Sequence, residues 1–131
     1  MSKKMAAVLM LLILVIWTSS VNAEDKEPTL IKAHATAYCL EGHTASGIEV
    51  REGICAMADS SLIGKTAIVY QRLPDGSVGE CIGIYEIEDT GCSENVIDVW
   101  CTEEDCQPFM DRVYEDGCKG KVFIQIIEAA G

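Results

Sequence analysis

Six short apolar runs, separated by glycine and aspartate, set the frame for this 131-residue chain. They are Lys32 to Tyr38, Gly53 to Ala58, Thr66 to Leu73, Glu80 to Asp89, Val96 to Trp100 and Lys121 to Glu128. Runs of this length with turn residues between them read as strands, and six at this spacing argue a small barrel or sandwich. Between the third and fourth runs lies Pro74-Asp75-Gly76-Ser77. Asp-Gly supplies a positive-φ turn position, so Thr66 to Asp89 is expected to form a hairpin. One segment has helical rather than strand periodicity: Cys106, Phe109, Met110 and Val113 fall on one face, which predicts a helix over Asp105 to Glu115. Because Pro108 is best tolerated in a first turn, Asp105 is preferred to Thr102 as its N-cap, with Gly117 closing it.

The N-terminus is organised differently. Lys3 and Lys4 precede 13 apolar residues, Met5 to Trp17, followed by Thr18-Ser19-Ser20 and the small-residue site Val21-Asn22-Ala23. This is the layout of a signal peptide cleaved after Ala23, and the run is shorter than the roughly 18 to 20 residues of a spanning helix. Membrane association is therefore expected only through this segment, if it stays uncleaved. Residues 24–31 are charged and carry Pro28, and read as a tether to a single domain over 32–131.

Removing residues 1–23 and their two lysines leaves 108 residues with 8 basic against 21 acidic side chains, a net charge of −13. No run of three basic residues occurs, so nucleic acid is not an expected partner. All seven cysteines (Cys39, Cys55, Cys81, Cys92, Cys101, Cys106 and Cys118) lie after Ala23. Export makes disulfides the default, and the odd count leaves at least one thiol over. Cys39 and Cys55 end strand-like segments on either side of the Gly42 to Gly53 loop, and are the expected pair. Closing that loop would contribute ~3 kcal/mol in the chain-entropy picture. A metal site is not expected: there is no C-x-x-C pair, and His34 and His43 lack ligand-like spacing. No cofactor is expected either.

Three aspartates sit against apolar segments: Asp59 after Cys-Ala-Met-Ala, Asp89 in Glu-Asp-Thr-Gly, and Asp98 in Val-Ile-Asp-Val-Trp. Strand parity puts Asp98 on one face with Val96 and Trp100, where partial desolvation would raise its pKa towards the range of a general acid.

The order Ala35-Thr36-Ala37-Tyr38-Cys39, Gly42-His43-Thr44-Ala45-Ser46-Gly47, Gly53-Ile54-Cys55-Ala56, Asp89-Thr90-Gly91 and Ile97-Asp98-Val99 resembles the three-aspartate domain of bacterial cell-wall proteins. That family includes membrane-bound lytic transglycosylase A and stationary-phase muralytic factors. The resemblance spans roughly residues 33–128. It implies a mainly β fold, a six-stranded double-psi β-barrel with one short helix, in a monomeric protein that is secreted or associated with the cell wall. It also implies lytic cleavage of the β-1,4 bond between N-acetylmuramic acid and N-acetylglucosamine in peptidoglycan glycan strands. Carried onto this chain, Asp98 would be acid and then base, Asp89 and Asp59 would orient sugar hydroxyls or tune Asp98, and Thr36, Tyr38, Thr44 and Thr90 would line or support the groove. The chain departs from the family where Cys92-Ser93-Glu94-Asn95-Val96 replaces a longer glycine-rich insert containing lysine, and where Ser60-Ser61-Leu62-Ile63-Gly64-Lys65 replaces a proline-containing segment.

Other readings of the same residues are a barrel that holds glycan without cutting it, an aspartic protease lobe built on Asp89-Thr90-Gly91, and a thiol nucleophile served by His34 or His43. The protease reading is weakened by Glu88, a charge where such enzymes keep an apolar residue. Trp100 and Tyr85 are candidates for stacking on sugar rings.

Overall fold

A computed structural model describes residues 29–128. The expected signal segment, and residues 24–28 of the expected tether, lie outside the described residues. Among the described residues, no helix is long and apolar enough to cross a membrane.

The chain is mainly β, with six strands: β1 (Leu30–Tyr38), β2 (Ile54–Met57), β3 (Thr66–Arg72), β4 (Val78–Asp89), β5 (Val96–Trp100) and β6 (Lys121–Ile127). One α-helix, α1 (Glu103–Tyr114), lies between β5 and β6. Neighbouring strands pair in the order β1-β5-β2-β4-β3-β6, and β6 returns to β1, so the sheet closes on itself. Closure leaves no long unpaired strand edge. Two contacts are parallel, β1 with β5 and β2 with β4, and the other four are antiparallel.

Alternation explains which side chains fill the interior. Ala33 and Ala35 of β1, Ala67 and Val69 of β3, Ile97 and Val99 of β5, and Val122 and Ile124 of β6 are all buried, while their chain neighbours are more exposed except Phe123, which is buried beneath Arg72. Cys55, Met57 and Ile87 complete the core, and α1 packs Phe109 and Val113 into it. Small alanines on β1 and larger aliphatics on β5 and β6 fill a narrow interior together. Each fully buried valine or isoleucine contributes roughly 1.5–3 kcal/mol of transfer free energy.

The β3–β4 hairpin forms as expected, and Leu73, Gly76 and Ser77 hydrogen-bond across its turn. Asp75 accepts from the Ser77 amide and hydroxyl at 2.9 and 2.6 Å, which pins the loop, and Gly76 supplies the positive φ of 87°. The six strand boundaries fall within two residues of those read from the sequence.

Two expectations are corrected. The tether does not reach residue 31: Leu30 and Ile31 already pair with Gln125 and Ile124 of β6, because their apolar side chains extend the strand once a partner is present. The helix begins at Glu103 with Thr102, not Asp105, as N-cap; the Thr102 hydroxyl accepts from the Asp105 amide at 3.3 Å. Cys101 donates its amide to Tyr38 O at 2.9 Å, so the chain leaves β5 only at Thr102 and turns there directly into the helix. Glu103, Glu104 and Asp105 then occupy the first turn, where negative charge suits the helix dipole. Pro108 falls inside the helix, at the expense of one intrahelical hydrogen bond.

If Thr102 is the cap, Thr102→Ala is expected to cost ~1 kcal/mol in urea unfolding. Asp105→Ala removes one favourable first-turn charge and is expected to cost about 0.5 kcal/mol or less. A larger loss at Asp105 than at Thr102 would return the cap to Asp105.

Candidate active site

Cross-strand register builds the site. On the outer face of the closed sheet, Thr36 of β1 lies opposite Asp98 of β5, Asp98 lies opposite Ala56 of β2, and Ala56 lies opposite Asp89 of β4. These four residues form one row across four adjacent strands. Asp89 reaches the row only because the β2–β4 register shifts between Cys55 and Ala56: Cys55 pairs with Ile87, but Ala56 pairs with Asp89, skipping Glu88. A bulge of this kind re-aims one side chain without disturbing the core beneath it, and Ile87 stays fully buried. Ala56 presents only a methyl group between the two carboxylates.

Hydrogen bonds hold the carboxylates in different ways. The Thr36 hydroxyl donates to Asp98 Oδ1 at 2.8 Å. Asp89 Oδ1 accepts from the Ala45 amide at 3.0 Å and from the Thr90 amide at 2.9 Å, while Tyr38 donates to Oδ2 at 3.4 Å. The segment carrying Ala45 is a tight turn: Thr44 takes Ile48 O, Gly47 takes Thr44 O, and Ser46 anchors the turn to Glu88 O at 3.0 Å.

Partial burial pushes the Asp98 carboxyl above the usual aspartate range; the Thr36 hydrogen bond opposes this and the Asp89 charge adds to it. Tyr38 is raised as well, first by burial and then by the charges of Asp89 and Asp98. The site is thus an acidic pair with one member inclined to keep its proton, beside a phenol that stays protonated and can donate.

The expected site residues divide accordingly. Thr36, Tyr38, Asp89 and Asp98 come together. Thr90 supports from behind, its hydroxyl donating to Ala58 O at 3.1 Å and so tying the end of β4 to the segment after β2. Thr44 is buried, with its hydroxyl against Ser46 Oγ at 2.8 Å, and shapes the turn rather than lining the face. Asp59 has a different task. It caps the 3₁₀ turn Ser60–Leu62, accepting from the Ser61 amide and hydroxyl at 2.9 and 2.7 Å, and those bonds hold its carboxyl below the usual range. The serines after Asp59 make an Asx-type turn available to the carboxylate, which removes it from the row. Tyr85 packs edge-on against Phe109, and the Trp100 indole N–H donates to Leu40 O, so each has a structural partner.

The expected Cys39–Cys55 disulfide is not formed, and all seven thiols are free. Tyr38 lies opposite Trp100 on one side of β5 and Cys55 opposite Val99 on the other, so Cys39 and Cys55 are two strands apart. That spacing is on the order of 10 Å, beyond the ~7 Å Cα limit for a disulfide. Cys39 instead lies near Cys106 in α1, whose thiol is raised by burial and then by Cys39. Cys55 is fully buried, and its thiol is pushed up to about 12 by that burial.

The Ala45 amide, Ala56 as spacer, and Cys92, whose thiol is raised by burial and by Asp98, join the site without having been expected as site residues. Ala45 and Ala56 stand within the sequence motifs, but sequence pattern assigns neither of them a role. Among the described residues, no group of three or more His, Cys, Asp or Glu side chains is placed to hold a metal ion. No protein-family model, curated protein or solved structure matches the chain.

The direction of the Asp98 shift has a consequence for stability. A carboxyl raised in the fold binds its proton more tightly than in the unfolded chain, so its favourable contribution is present at low pH and is lost as pH rises through the folded value. Asp98→Asn keeps an acceptor for Thr36 without the charge, and is expected to melt at or above the wild-type temperature at pH 7. That advantage should shrink and vanish as pH falls and the wild-type carboxyl takes up its proton. A wild type that is the more stable of the two at pH 7 would contradict the assignment.

Proposed function

We propose that this is an exported peptidoglycan-cleaving enzyme of the lytic transglycosylase type, and that the closed six-stranded sheet is a double-psi β-barrel. The fold reading is supported by the two parallel pairings set among four antiparallel ones, and by the extent of the motif resemblance, roughly residues 33–128. The functional reading rests on one observation above all: a half-buried Asp98 with a raised pKa stands in one cross-strand row with a second carboxylate, Asp89, on the outer face.

In this reaction Asp98 gives its proton to the oxygen leaving from the β-1,4 bond between N-acetylmuramic acid and N-acetylglucosamine. The resulting carboxylate then takes the proton of the muramic 6-hydroxyl as that oxygen attacks the anomeric carbon. The glycosidic C–O bond breaks, a 1,6-anhydro bond forms, and Asp98 ends protonated as it began. A glycosidase that uses water needs two carboxyls at a set separation, whereas here one suffices. Thr36 fixes the rotamer of Asp98. Asp89, held by two amides, and Tyr38 are suited to orient sugar hydroxyls. The substrate is peptidoglycan glycan, with the protein acting as a monomer outside the cytoplasm. A second reading, a barrel that holds glycan without cleaving it, is favoured by the exposed Thr36 end of the row, where a sugar ring could rest undistorted.

The test is mass spectrometry of muropeptides after incubation with the purified chain. Products one water lighter than those of a hydrolase at the same bond are expected. Asp98→Asn should fold and lose at least ~100-fold in rate, the usual worth of general acid–base catalysis, and Asp89→Asn should lose less. Glycan retention without any product would select the binding reading.

A further inference from the structure

The chain is acidic overall, yet its positive charge is unevenly placed. Among the described residues there are seven lysines and arginines against eighteen aspartates and glutamates. Four of the seven (Lys32, Arg72, Lys119 and Lys121) line a single cavity of about 330 Å³. It lies where the start of β1, the end of β3 and the turn before β6 meet, and no carboxylate lines it. Of the acidic residues near its rim, Asp75 is bonded to Ser77, while Glu115 and Asp116 stay outside the lining although their charges reach the Cys118 thiol.

The cavity is built rather than incidental. Arg72 crosses the outer face of β6, its guanidinium 5.6 Å from the centre of the Phe123 ring, and donates from Nη2 to Ala33 O at 3.0 Å. Its Nε–H is buried without an acceptor, the sole such side-chain atom among the described residues. An unpaired buried donor is costly and leaves the guanidinium incompletely satisfied, and an anion in the adjoining cavity would offset its charge. The opposite wall is preset by backbone: Gly117, Lys119 and Gly120 all have positive φ, and Gly117 sits so close to Pro74 that a Cβ there would lie 3.2 Å from the ring. The two ion pairs between described residues use Arg51 and Lys65, leaving the four pocket cations outside them.

We propose that this cavity is a binding site for a phosphoryl group. Four converging cations match a multiply charged oxyanion better than a single carboxylate, and lysine ammonium groups bind phosphate as point charges that need no planar partner. The general acidity of the chain repels anions at range, but that field is screened over about 8 Å at physiological salt, so the local cluster governs once an anion reaches the rim. Lys32 and Thr36 lie on the same outer face of β1, four residues and therefore about 13 Å apart. A phosphoryl group in the cavity can therefore belong to the same extended ligand that meets Asp98; this last step alone rests on the proposed function, and the site itself does not.

The test is a titration of the chain from Glu24 onward, which contains the whole closed sheet, followed by amide NMR. Inorganic phosphate is compared with acetate at matched ionic strength. Saturable shifts confined to Gly76, Lys119, Gly120 and Lys121 are expected with phosphate, at least tenfold weaker with acetate, and weakened at least tenfold by Lys32→Glu with Lys121→Glu. Should that pair fail to fold, Lys32→Gln with Lys119→Gln removes charge alone and is expected to weaken binding in the same direction. Linear shifts shared equally by both anions, or phosphate binding indifferent to these substitutions, would overturn the site. Because the readout is anion binding and not bond cleavage, a failure here leaves the Asp98 chemistry untouched, and inactivity on glycan leaves the anion site untouched.

Discussion

A single register shift organises the outer face of this protein. Without the bulge between Cys55 and Ala56, regular alternation would set Glu88 opposite Ala56 and point Asp89 towards the interior. With it, Asp89 joins the row of Thr36, Asp98 and Ala56, and the core position of Ile87 is kept. The loop 42–47 depends on the same shift, since Ser46 docks on the Glu88 carbonyl and the Ala45 amide on the Asp89 carboxylate. Backbone geometry, rather than any one catalytic side chain, decides that two carboxylates share a face.

The two carboxylates are then separated in character by their surroundings. Asp89 has three donors, two of them backbone amides fixed by the turn and by its own chain neighbour. Asp98 has one, the Thr36 hydroxyl, and is half-buried next to a like charge. Burial and the neighbouring charge favour the protonated form of Asp98, the form a general acid needs. Ala56 contributes by being small, since a longer side chain there would stand between the pair.

Much of this architecture is legible in the sequence because it depends on local patterning. Inward alanines and aliphatics at period two mark the strands, Asp75-Gly76 marks the hairpin, and the parity of Val96, Asp98 and Trp100 places Asp98 on the outer face. What sequence pattern misses is what depends on neighbours remote in the chain. The bulge arises from pairing between strands thirty residues apart and leaves no local mark. Asp59 is adjacent to the right segment, yet its carboxylate is captured by Ser61 two residues on, a local bond that outcompetes a shared site. The cysteines mislead for the same reason: Cys39 and Cys55 flank one loop in sequence, but β5 inserts between their strands. The helix cap moved to Thr102 because the end of β5 is set by Cys101 bonding to β1, a contact that helix propensity does not register.

The shared row is tested most directly by following the Asp98 side-chain carboxyl by carbon NMR across a pH titration, in the wild type and in Asp89→Asn. If the bulge holds Asp89 beside it, Asp98 titrates above the ordinary aspartate value and moves down when the neighbouring charge is removed. An Asp98 that titrates as an exposed aspartate, or whose midpoint is indifferent to Asp89→Asn, would contradict the pairing on which the proposed chemistry rests.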